Sequence, residues 1–175
     1  IEVDIIDVNA HLSGEDTKCL FNTEKNVCEA VLDTSDIVIA SVHSTYKGGN
    51  LLANTNMFIK ILEDPRVNII GHCIKSNISF EIKEVVNAAR IFGKPLEINE
   101  STFGNKEKIK YIYELLECCA EEDTMIAIGS DAHCAYDIGR FHKVNSILSE
   151  VEFPETLIVN KKLIEFLKYM GGRYE

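Results

Sequence analysis

Short, evenly apolar runs alternate along this chain with longer amphipathic segments, recurring at roughly thirty residues, and that alternation confines it to βα units around a parallel sheet or barrel. The apolar runs predict strands at 1–6, 37–41, 67–71, 96–99, 125–129 and, more weakly, 157–159. Most are too short and too uniformly apolar for a half-exposed antiparallel sheet and read as strands buried on both faces. Helices are expected between them. Residues 50–62 carry Leu51, Met57, Phe58, Ile61 and Leu62 and stop at Asp64-Pro65, because proline disfavours helix in the residue before it. Residues 79–92 open on Ser79 as a cap, carry Glu81 and Glu84 early and end at Gly93. Residues 105–122 place Ile109, Ile112, Leu115 and Leu116 on one stripe, and Asn160 is expected to cap a last helix reaching Met170. The polar, unperiodic stretch 7–24 is expected to form a turn or hairpin leading into a helix with Val27, Ala30 and Val31.

A chain of 175 residues, 46% of them apolar, is enough for one core, so a single domain over 1–175 is expected. Twenty-eight acidic against 18 basic residues, with no Lys/Arg cluster, argue against nucleic acid as the main partner. No window approaches the ~18 uninterrupted apolar residues of a spanning helix, and the opening residues lack a signal-peptide pattern, so a cytoplasmic protein with no membrane partner is expected. The six cysteines include the neighbours Cys118 and Cys119 and are expected to be reduced thiols.

The chemistry collects at strand ends. His43 follows the run at 37–41, His72 follows the run at 67–71, and Asp131-Ala132-His133 follows the run at 125–129. In a parallel α/β barrel those ends share one rim, where groups from several strands meet in one pocket. A lone histidine there is more often a hydrogen-bonded residue than a ligand; three on one rim, beside a carboxylate, tilt the balance toward a metal. Asp131 and His133, two apart, are expected on an extended backbone to face the same way. Imidazole nitrogen with carboxylate oxygen suits Zn, Mn or Fe. Cys73 and Cys134, each beside a proposed ligand, are expected to face away and pack. Neither a Ser-His-Asp or Cys-His set nor a phosphate-binding Gly-rich loop is visible, since Gly48-Gly49 lacks the following Lys-Ser/Thr. Lys47 is a candidate for holding a phosphate, with a solvated loop lysine as the equal alternative.

Three segments, Leu96-Glu97-Ile98-Asn99, Gly129-Ser130-Asp131-Ala132-His133 and Val151-Glu152-Phe153-Pro154 through Val159-Asn160, resemble the polymerase-and-histidinol-phosphatase (PHP) family, in particular its stand-alone bacterial phosphatases. The resemblance runs in order along nearly the whole chain, and Gly-Ser-Asp-x-His is its most specific element. It implies a distorted (β/α)7 TIM-like barrel holding up to three divalent ions (Zn, Mn or Fe), and hydrolysis of small phosphomonoesters by a metal-activated water. Carried over by position, Glu2 would bridge two metals, His43 and His72 would complete the second metal's shell, Asp131 would serve the first and His133 the third. Asn99 would support the site from its strand end. The family's His-x-His strand, a further His and a Thr-Asp-His-type strand end have no counterpart. The chain is therefore expected to be the C-terminal two-thirds to three-quarters of the barrel, without its first two βα units and with fewer metals. The competing expectation is a catalytically incomplete fragment that serves as a metal-binding or interaction module. An open barrel edge would also favour self-association.

Overall fold

The computed structural model describes residues 5–13, 16–19, 36–42, 48–76 and 78–170. Six strands form one sheet: β1 (Ile5–Ser13), β2 (Asp16–Cys19), β3 (Ile37–Ser41), β4 (Ile69–Gly71), β5 (Leu96–Asn99) and β6 (Ile126–Gly129). Their order is β2-β1-β3-β4-β5-β6. All are parallel except β2, which runs antiparallel to β1. Five helices complete the described chain: α1 (Leu51–Glu63), α2 (Ile82–Phe92), α3 (Ile109–Glu121), α4 (His142–Glu150) and α5 (Leu163–Tyr169).

β3 and β5 have their expected bounds, while the first strand runs on to Ser13. Its Ile5–Asn9 half pairs with β3, and its Ala10–Ser13 half pairs with β2 as the expected hairpin. The helix expected after that hairpin lies outside the described residues. The weak strand at 157–159 shrinks to a single bridge between Ile126 and Ile158. Beyond it Asn160 substitutes for a strand: its Oδ1 accepts from Ile128 N (2.9 Å) and its Nδ2 donates to Ile128 O (2.8 Å). That corrects the expected cap, since α5 starts only at Leu163 and the Asn160 amide is spent on the sheet.

Ser79 is likewise not the cap of α2. That helix begins at Ile82, and the N–H of its N-cap Glu81 donates to Thr55 Oγ1 of α1 at 2.9 Å. Asn50 caps α1 as a side chain of its type should, accepting from Ala53 N at 2.9 Å. Gly93 ends α2 in the left-handed conformation, φ 63°, that glycine adopts without steric cost.

Strand periodicity divides the sheet into two faces. Val38, Ala40, Ile70, Leu96, Ile98 and Ile126 join Phe58, Leu62, Val85, Val86, Leu115 and Leu116 of the helices in the main core. Ile37, Ile69 and Ala127 on the opposite face form a smaller cluster with Val159 and Met170, against which Phe166 and Tyr169 pack. Among the described residues no helix is long and apolar enough to cross a membrane. Cys73, Cys118 and Cys119 are buried free thiols, and burial pushes Cys73 up to about 12. Cys134 departs from expectation: it is exposed, with its Sγ 3.1 Å from Asp137 Oδ2, because the chain has already left the sheet there.

Candidate active site

The face of the sheet opposite α1–α4 changes character along the strands. It starts apolar, with Ile37, Ile69 and Ala127, and ends with Ser41, Gly71, Glu97, Asn99 and Gly129 at the C-terminal ends. The register sets Ser41 beside Gly71 and Asn99 beside Gly129. Both glycines answer a close approach: a Cβ on Gly71 would lie 2.2 Å from Ser41 Oγ, and one on Gly129 would lie 1.8 Å from Glu97 Oε1. Side chains of the neighbouring strands therefore lie across bare backbone. A carboxylate is thereby seated in the sheet.

Glu97 uses that seat to hold the end of β4. Its Oε2 accepts the backbone N–H of His72 at 2.8 Å, and its Oε1 accepts from Asn99 Nδ2 at 3.3 Å. His72 is buried and has φ 27°, a left-handed backbone rare for a residue with a Cβ. His72, Glu97, Asn99, Ile74 and Thr102 line a small cleft. The turn after His72, closed by Lys75 N–H on His72 O (2.8 Å), then delivers Lys75.

Asp131, just past β6, gathers groups from two other strand ends. Its Oδ2 accepts from Lys75 Nζ (2.6 Å) after β4 and lies 2.7 Å from Ser101 Oγ, in the 3-10 turn (Glu100–Gly104) after β5. Asn99 Oδ1 caps that turn, accepting Ser101 N–H at 2.9 Å, and it also lies 2.6 Å from Ser101 Oγ. The hydroxyl has one proton, and the ionised carboxylate has the stronger claim on it. Burial pushes the Asp131 carboxyl up, but the Lys75 and Ser101 hydrogen bonds and the Lys75 charge outweigh it and hold the group below the ordinary carboxylate value.

One local expectation needs correcting. Asp131 and His133 do not sit on an extended backbone: β6 ends at Gly129, and Asp131 has φ 54°. The chain turns there, and the two are linked by His133 Nδ1 to the Asp131 carbonyl oxygen at 2.7 Å. His133 itself is exposed.

Of the residues expected at the site, His72, Asn99, Asp131 and His133 lie at the same end of the parallel strands. Glu2, His43 and Lys47 lie outside the described residues. Among the described residues no three His, Cys, Asp or Glu side chains form a metal-sized cluster. The donors present nonetheless suit a divalent ion. Asp131 is held ionised, and His133 has one ring nitrogen tied to a carbonyl, the arrangement that orients a ligating imidazole through the other. Sequence reasoning missed Glu97, Lys75 and Ser101 as site residues. Glu97 alone left a signal, a carboxylate between two apolar residues, Leu96 and Ile98, and two residues from Asn99.

No family model matches the chain. A probable phosphatase of Caldicellulosiruptor bescii is 37% identical over 147 residues, covering 83% of this chain and 61% of that protein. A probable phosphatase of Clostridium botulinum is 37% identical over 146 residues, covering 78% of this chain and 58% of that protein. The chain thus spans about three-fifths of the length of these curated relatives. Among solved structures it is similar to a histidinol phosphate phosphatase of Lactococcus lactis complexed with zinc, L-histidinol and phosphate. The TM-score is 0.52 at 17% identity, over 74% of this chain and 62% of that one. That likeness establishes the α/β fold with its parallel sheet.

Proposed function

We propose that this chain is part of a PHP-type metal-dependent phosphatase acting on small phosphomonoesters, its sheet belonging to the family's distorted barrel. The observation that carries this reading is the convergence of His72, Asp131 and His133 on the polar end of the parallel strands, in a chain whose relatives are named probable phosphatases. Asp131 and His133, with Glu2, His43 and His72, would hold divalent ions of the Zn, Mn or Fe type. When bound, such an ion supplies Lewis acidity that activates water and offsets phosphate charge.

The chain's own residues do the positioning. Glu97 fixes the His72 backbone, and Asn99 sets the turn that presents the Ser101 hydroxyl to Asp131. Lys75 brings a cation to the strand ends, and Lys47 would add another, in a protein whose formal charge is −10; local cations of this kind suit a small anion. A long polyanion would meet repulsion from the rest of the surface.

The test is hydrolysis of p-nitrophenyl phosphate with Mn²⁺ or Zn²⁺, measured beside metal content. It is run on the 175-residue chain and on a polypeptide carrying it at the length of its relatives. Metal-dependent turnover that disappears in Asp131→Asn is expected for the longer protein. Absence of both metal and turnover there overturns the reading and leaves a shared fold without shared chemistry.

A further inference from the structure

We infer that Lys75 is a tethered cation that competes with a divalent ion for Asp131, so that loading this site with metal is an exchange in which the ion displaces the ammonium. The inference rests on the reading of Asp131 as a ligand and says what governs the occupancy of that ligand. Lys75 Nζ sits 2.6 Å from Asp131 Oδ2, on the same oxygen that faces the Ser101 hydroxyl. An ammonium has three donors and no lone pair, so it cannot join a metal's ligand shell and can only oppose a second cation on that carboxylate.

The geometry also makes the exchange feasible. The Lys75 backbone is anchored, with its N–H on His72 O, and the adjoining Ser76 Oγ donates to Cys73 O at 2.6 Å. Its side chain, 42% exposed, has solvent to swing into without disturbing that anchor. An ion pair this open to water is weak enough for a divalent ion to displace. Asp131, by contrast, is less exposed and has a second partner in Ser101 Oγ at 2.7 Å, which makes its carboxylate the stationary partner. The turn that carries His72 into the site therefore carries a competitor for the metal three residues later.

Isothermal titration of Mn²⁺ into the 175-residue chain tests this, using Lys75→Met, Lys75→Arg, Asp131→Asn and the Lys75→Met/Asp131→Asn pair, with circular dichroism to confirm folding. Lys75→Met is expected to bind Mn²⁺ about fivefold tighter, the scale of a partly exposed ion pair. Lys75→Arg keeps the cation and should titrate like the parent, and Asp131→Asn should weaken binding by about tenfold or more. In the Asp131→Asn background, Lys75→Met should have no effect. Unchanged, weaker or absent binding in Lys75→Met, alongside weakened binding in Asp131→Asn, overturns the competition and leaves the ligand reading standing. Equal tightening in Lys75→Arg also overturns it, since charge is then not the cause. Unchanged binding in Asp131→Asn overturns the ligand reading and the inference with it.

Discussion

Where the parallel strands begin, polar groups are used to close the protein; where they end, polar groups are left for other partners. At the first end Arg66 meets Asp64 through two side-chain bonds (2.7 and 3.0 Å), and Lys94 Nζ donates to the Asp64 carbonyl. Asn68 Oδ1 accepts Val38 N–H at 2.8 Å, and the Tyr169 hydroxyl is shared between the carbonyls of Asn68 and Gly93. These bonds tie loops to one another, to β3 and to α5, and the left-handed residues at this end, Gly93, Asp123 and Glu152, follow the ends of α2, α3 and α4. At the second end His72 and Asp131 take left-handed backbone, a carboxylate is seated over a glycine, and a lysine covers a potential ligand. Side chains that bridge one strand end to another collect at the second end, and bonds that close loops collect at the first.

The sharpest way to break this contrast is His133→Ala. It should reduce phosphatase activity of the longer protein by about a hundredfold or more while its thermal midpoint stays put, because the side chain is exposed and its one bond is local. A falling midpoint would show that the second end also carries the fold. Gly129→Ala comes next: its Cβ would strike Glu97, so urea denaturation should show a loss of about 1–3 kcal/mol together with impaired metal binding. Tyr169→Phe probes the first end and should cost about 1 kcal/mol in the same assay, with metal binding unchanged.

The smallest effects concern pH. The Arg66 hydrogen bond holds Asp64 below its ordinary 3.8, so the stability it adds is complete above that pH and is lost as pH falls through the lower folded value. Burial raises Cys73 from 9.0 to about 12, so its contribution is complete below 9.0 and is lost as pH rises toward 12. Chemical denaturation across both windows should show these two declines. Thiol labelling at neutral pH should modify exposed Cys134 well before buried Cys73.

The layered α/β plan was legible because burial on both faces leaves short apolar strands, and β3 and β5 were bounded by it. So were the rim positions of His72, Asp131 and His133. The gaps have physical causes. Asn160 looked like a cap because asparagine caps helices, but the same amide can stand in for a peptide unit, and only the neighbouring strand decides between them. Asp131-x-His133 looked extended because the strand before it is; a left-handed residue that is not glycine leaves no mark in composition. Lys75 and Ser101 reach Asp131 from 56 and 30 residues away, a pairing that no local pattern encodes.

The Asn160 amide has a consequence for how this molecule meets others. Among the described strands β6 is the last on its side of the sheet, and such a strand ordinarily offers a row of open peptide groups to any passing chain. Here Val159 N–H already occupies the Ile126 carbonyl, and one asparagine side chain occupies both polar groups of Ile128. The border is stoppered by two residues instead of a seventh strand. A second copy could add a strand on this side only after Asn160 withdrew, so the stopper selects against assembly by sheet extension while leaving the helix faces free to choose partners.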